Sequence, residues 1–248
     1  MKLVLSIILF FFIFFKANAQ TSDTTIKYIW KNEVTGGAAT IEIYGIQQTD
    51  KLHCVFYLNN VDTVYNNTSD SLFNEFVNIS TLHCPIIKIS FYNLLDSISN
   101  NKNQLYQEEF SKFILPDVHK RYPQININNL IITGADYFAT VALEAAIANS
   151  QKINKTALFF SSGKRMELLE KVNAADIKKL KGKLYLYIYH LAGENNSADS
   201  ITTNLALNAV VVFYKFDDFG EPKSSSIFEE AYHWLLADGN NYIIRNND

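Results

Sequence analysis

The rhythm of apolar and polar positions changes several times along the chain. Ile26 to Lys31 and Thr40 to Tyr44 alternate, which predicts two antiparallel strands with one buried face. Val34-Thr35-Gly36-Gly37 predicts the turn that joins them. His53 to Leu58 is continuously apolar after its first residue, as expected of a strand covered on both faces, and Asn59-Asn60 predicts a turn directly after it. Ser69 to Ile79 carries Leu72, Phe73, Phe76 and Val77 at helical spacing, with Ser69 or Asp70 as a cap. Pro85 to Tyr92 reads as the next strand, and Asp96 to Gln104 as a short polar loop. Leu105 to Tyr122 predicts a helix, with a kink or restart at Pro116.

The centre of the chain is a βαβ unit. Leu130 to Thr133 is short, apolar and β-branched, the pattern of a buried strand. Gly134 to Phe138 breaks that period. Ala139 to Asn149 is rich in Ala and Leu and predicts a helix able to sit close to a sheet; Asn154 to Phe160 returns as a parallel strand. Further on, Met166 to Leu180 is a polar helical stretch, Lys183 to His190 a strand, Ser197 to Ala209 a helix, Val210 to Phe216 a last strand and Ile227 to Ala237 a last helix. Strands that alternate with helices in this way predict an α/β architecture, with a mostly parallel central sheet and helices on both faces.

Composition narrows the class. With 48% hydrophobic residues among 248, one sizeable core can be filled. No Pro/Gly/Ser-rich linker, repeat or charge block divides the chain, which predicts a single domain over residues 20–248. Residues 1–19 carry the pattern of a secretory signal peptide: Lys2, the apolar run Leu3 to Phe15, then Ala17-Asn18-Ala19 as the cleavage pattern. That run falls short of the ~20 residues of a membrane span. Cleavage after Ala19 removes Lys2 and Lys16 and takes the formal net charge from −3 to −5. The expected location is therefore secreted or periplasmic, with no membrane span after cleavage. No basic stripe suggests nucleic acid.

The two cysteines, Cys54 and Cys84, each follow Leu-His at the start of a strand. Export permits a disulfide between them, and two buried free thiols are the alternative. His53 and His83 adjoin them, but neighbouring positions on a strand point to opposite faces, so no zinc site is expected. No other cofactor is expected.

Leu130 to Gly163 also resembles the nucleophile elbow of α/β-hydrolases, G-x-S-x-G between a strand and a helix. Phe110 to Tyr122, FSKFILPDVHKRY, is similar to the helix that precedes the elbow in esterases of the esterase D and enterochelin-esterase-like group. Phe159-Phe160-Ser161-Ser162 resembles the FSPS that follows it. The specific match covers Leu105 to Gly163, and a weaker one runs from about Ala39 to Asp238. The resemblance implies an α/β-hydrolase fold with a ligand cleft at the carboxyl ends of the strands.

The resemblance also implies a role for each site position, and here the chain departs from the pattern. Asp136 stands where the family has its serine, and Phe138 where it has its second glycine, putting a ring where the helix should approach the strand. Asn60 and Tyr137 fall at the oxyanion-side positions. Glu194 matches the acidic triad member. The loop that carries the family's histidine, here Gly220 to Ser225, contains none; His190, at the end of its strand, is the substitute. His119 and His233 read as packing or surface residues. Three functions remain open: an esterase-like protein that has lost hydrolysis and binds a small-molecule or protein ligand; an active ester hydrolase using Asp136, Glu194 and His190; and a structural domain of an extracellular assembly.

Overall fold

The computed structural model describes residues 25–46, 54–60, 73–74, 84–92, 102–135, 137–160, 178–180, 184–188 and 235. The signal pattern, Ser197 to Ala209 and Val210 to Phe216 lie outside them. So do most of the helices expected at Ser69 to Ile79, Met166 to Leu180 and Ile227 to Ala237.

Seven strands form one sheet among the described residues: β1 (Ile26–Lys31), β2 (Ala38–Tyr44), β3 (Cys54–Asn60), β4 (Ile86–Phe91), β5 (Leu130–Ala135), β6 (Ile153–Phe160) and β7 (Leu184–Ile188). Their order is β1-β2-β4-β3-β5-β6-β7. β1 pairs antiparallel to β2, and β2 to β4; the remaining four pairings are parallel. The alternating segments became the antiparallel ribbon and the continuous apolar runs the buried parallel strands, as their patterns require. Gly36 takes the left-handed conformation, φ 74°, that closes the β1–β2 turn.

One face of the sheet carries Ile41, Ile43, Phe56, Leu58, Ile87, Ile89, Leu130 and Ile132, all buried in one cluster. On that face lie α1 (Lys102–Glu108), a π-helical turn (Glu109–Ile114), α2 (Leu115–Arg121) and α3 (Tyr137–Ala148). The other face carries Tyr57 and Lys88, which meet the helical residue Phe73: the Phe73 ring lies 4.9 Å from Tyr57 and 4.4 Å from the Lys88 ammonium. Helical residues thus cover both faces.

On the first face one expectation is corrected and one is met. The polar stretch Asp96 to Gln104 does not end as a loop, because α1 already begins at Lys102. The restart expected at Pro116 is present: the π-helical turn gives way to α2 at Leu115. The chain widens just ahead of it: Leu115 N–H donates to Phe110 O, five residues back, and Pro116 sits in the first turn of α2, where a missing N–H is tolerated.

Candidate active site

The site is built at the junction of β5 and α3. Strand β5 runs through Gly134 and Ala135, two residues further than the apolar run suggested, because Gly134 is paired with Leu58 of β3 and Leu158 of β6. Helix α3 begins at Tyr137, two residues earlier than its Ala-rich stretch. A single residue, Asp136, separates strand from helix. Its own placement lies outside the described residues. A reversal this short is what lifts one side chain above the carboxyl edge of a sheet.

Gly134 makes the reversal possible. A Cβ there would meet the Phe138 carbonyl oxygen and lie 2.7 Å from the Phe138 carbonyl carbon. The helix backbone therefore comes down onto the strand at a point where only hydrogen fits.

Phe138 behaves differently from expectation. Its ring does not separate helix from strand. The backbone of Phe138 makes the close approach, and the ring turns aside, 4% exposed, into an aromatic cluster. It stacks on Phe91 at 5.7 Å and 12°, and lies 5.3 Å from Tyr106 and 5.4 Å from Tyr137. Phe91 ends β4 and Tyr106 belongs to α1, so the ring ties the elbow to both.

Tyr137 packs in the same cluster, its ring 6.2 Å from Tyr106. Burial, then the neighbouring Tyr106 and Glu144, push its phenol pKa up. Its hydroxyl is buried and has no hydrogen-bond partner among the described residues. With the ring committed to α1, any part Tyr137 has in binding an oxyanion falls to its main-chain N–H at the start of α3.

Asn59 and Asn60 do not form a turn. Both continue β3, opposite Ser90 and Phe91 of β4. β4 extends far enough to keep pairing them after β5 has ended at its own junction. Leu58 lies level with Gly134, so Asn60, two residues on, lies level with the β5–α3 junction. Topology thus brings Asn60 and Tyr137 to one place on the carboxyl edge.

β7 ends at Ile188, opposite Phe160 of β6. His190 and Glu194 follow it in sequence and lie outside the described residues, as do Gly220 to Ser225 and His233. Cys54 and Cys84, both buried at the opposite, amino edge, are not joined in a disulfide. Burial, and secondarily Cys84, hold the Cys54 thiol well above its ordinary pKa. Among the described residues no group of His, Cys, Asp or Glu is arranged to hold a metal, and no helix is long and apolar enough to cross a membrane.

Neither a family model nor a curated protein sequence matches the chain. Its architecture matches solved structures. An S-formylglutathione hydrolase from Agrobacterium tumefaciens superposes with a TM-score of 0.60 at 11% identity, over 88% of this chain and 96% of that one. A ferulic acid esterase gives 0.57 at 10% identity, over 86% and 96%. A thermostable esterase gives 0.59 at 14% identity, over 86% of this chain and 62% of its own. Sheet order, one-residue reversal and superposition agree: the chain has the α/β-hydrolase fold.

Proposed function

We propose that this is a secreted α/β-hydrolase-fold protein, esterase-like in architecture, that has lost hydrolysis. It binds a small molecule or protein ligand in the cleft at the carboxyl ends of the strands. The observation that carries this reading is Asp136 as the one residue between β5 and α3.

A serine at this position becomes a nucleophile when a histidine takes its proton. An aspartate has no such proton to give. It is instead among the best residues to precede a helix, since a carboxylate accepts the free N–H groups of the first turn and is favoured by the helix dipole. Capping of that kind is a use for an aspartate that needs no catalytic partner. The absence of histidine from Gly220 to Ser225 points the same way, and the signal pattern of residues 1–19 supports export.

One feature favours a second reading. In sequence His190 comes two residues after the carboxyl end of β7, and as a base it could serve Asp136 as a carboxylate nucleophile, with Glu194 as its orienting acid. Hydrolysis of short activated esters by the purified chain, run beside Asp136→Ala, separates the two. The binding reading expects equal, background turnover from both. Turnover that vanishes in Asp136→Ala would establish the enzyme and make His190 the first base to test.

A further inference from the structure

Glu109 is a carboxylate only 4% exposed, at the first position of the π-helical turn. Its Oε2 accepts a hydrogen bond from Asn32 Nδ2 at 3.2 Å. Gly37 lies so close that a Cβ there would be 2.9 Å from the carboxylate carbon. The β1–β2 turn that grips it is itself well determined. Asn32 Oδ1 accepts Val34 N–H at 3.0 Å, and Asn32 O accepts Gly36 N–H at 2.9 Å. This turn sits at the carboxyl edge of the sheet, where Tyr92 N–H, just past the end of β4, donates to Ala38 O.

The wide turn decides what α1 presents to the elbow. Tyr106, Phe110, Ile114 and Val118 are all buried and recur every four residues. At about 3.6 residues per turn such a repeat drifts around a helix. One turn that is a residue wider brings it back into line. If the turn relaxed to α, α1 would rotate by about 100° relative to α2. Tyr106 would then leave Phe91, Tyr137 and Phe138, whose rings it now meets at 5.0, 6.2 and 5.3 Å. Rotation would equally pull Glu109 out from under Gly37. The buried contact and the wide turn stand or fall together.

We propose that Glu109 is a positioning residue for the elbow: anchored to the Asn32 turn, it holds the π-helical turn that sets Tyr106 against Tyr137 and Phe138. The inference is independent of the binding reading, since the elbow needs the same support in an enzyme.

Ring-to-ring contacts read by NMR in the full chain, with labelled Tyr, Phe, Ala and Leu, test it. Glu109→Ala is expected to lose the Tyr106–Phe138 contact and to shift the Tyr137 and Phe138 ring signals, while β6 signals at Ala157 and Leu158 stay in place. Glu109→Gln keeps an acceptor for Asn32 and is expected to restore the wild-type pattern. Should Glu109→Ala not fold, Asn32→Ala removes the same contact from the other side and is expected to show the same selective loss. A Tyr106–Phe138 contact that persists in the folded variants overturns the proposal. So does a loss accompanied by equal changes in β6, which would make Glu109 a general stabiliser.

Discussion

Two helical segments pack on the same face of the sheet by opposite means. The segment before β5, α1 through α2, inserts large side chains along one stripe: Tyr106, Phe110, Ile114, Val118. The segment after it, α3, buries Phe138, Ala139, Val141, Ala142, Leu143, Ala145 and Ala146 and has no exposed stripe to speak of. Small side chains let α3 drop close to the sheet, and Gly134 marks where its backbone touches β5. One segment fills a gap with atoms; the other removes the gap. Mutations should therefore hurt the first by deletion and the second by addition.

The largest effect is expected from deletion in the stripe. Phe110 is fully buried and meets Phe56 edge-on at 5.4 Å. Phe110→Ala should cost about 4 kcal/mol, from lost transfer energy and the cavity left behind. Denaturant unfolding of the purified protein measures it. A cost under about 1 kcal/mol would mean that the stripe collapses around the gap, and the contrast between the segments would fail.

Addition at the elbow comes next. Gly134→Ala places a methyl group against the Phe138 backbone, which cannot step aside as a flexible side chain can. Overpacking of this kind should cost about 2 to 3 kcal/mol. The same denaturation experiment reads it, and unchanged stability would show that α3 does not approach β5 so closely.

The two segments also differ in how far residue order alone reveals them. The strands were legible because alternation and continuous apolar runs map onto burial; β1 alternates as expected at every position but Ile29, an apolar residue on its exposed side. The βαβ unit was legible for the same reason. Its tightness was not. Gly134 and Ala135 look like a break in period, and only their pairing with β6 shows that they extend the strand. Phe138 has an evident size but no evident direction, and direction decides whether its ring blocks the elbow or braces it. Lys102 to Gln104 reads as loop in the sequence because a first helical turn need not carry an apolar residue. The π-helical turn did leave a signal, the strict four-residue repeat from Tyr106 to Val118, which an ordinary helix does not sustain. For Asp136, His190 and Glu194, sequence supplies candidates and β5 and β7 supply only the places from which they depart.

A smaller effect tests the start of α3. If Asp136 acts as a cap, Asp136→Ala should cost about 1 kcal/mol, while Asp136→Asn, a comparable cap, should leave stability nearly unchanged. Thermal unfolding of the pair measures this. Equal stability of all three proteins would remove the structural use of Asp136 and strengthen the catalytic alternative.

The smallest effect lies on the outer surface of the stripe segment. Glu108 Oε2 accepts from Lys112 Nζ at 2.9 Å, and its Oε1 from Gln104 Nε2 at 3.1 Å. The Lys112 hydrogen bond, then that of Gln104, then the Lys112 charge hold the Glu108 carboxyl below its ordinary 4.5. A carboxyl lowered on folding binds fewer protons than in the unfolded chain, so its stabilisation is present above the unfolded value and is lost as pH falls through the folded one. Glu108→Gln should therefore flatten the acid limb of the stability profile below about pH 4.5 and leave neutral stability almost untouched, because exposed pairs contribute little. Added salt should erase the difference, since the pair faces solvent. A change at neutral pH as large as that of Gly134→Ala would mean that this outer face, and not the buried stripe alone, holds α1 in register.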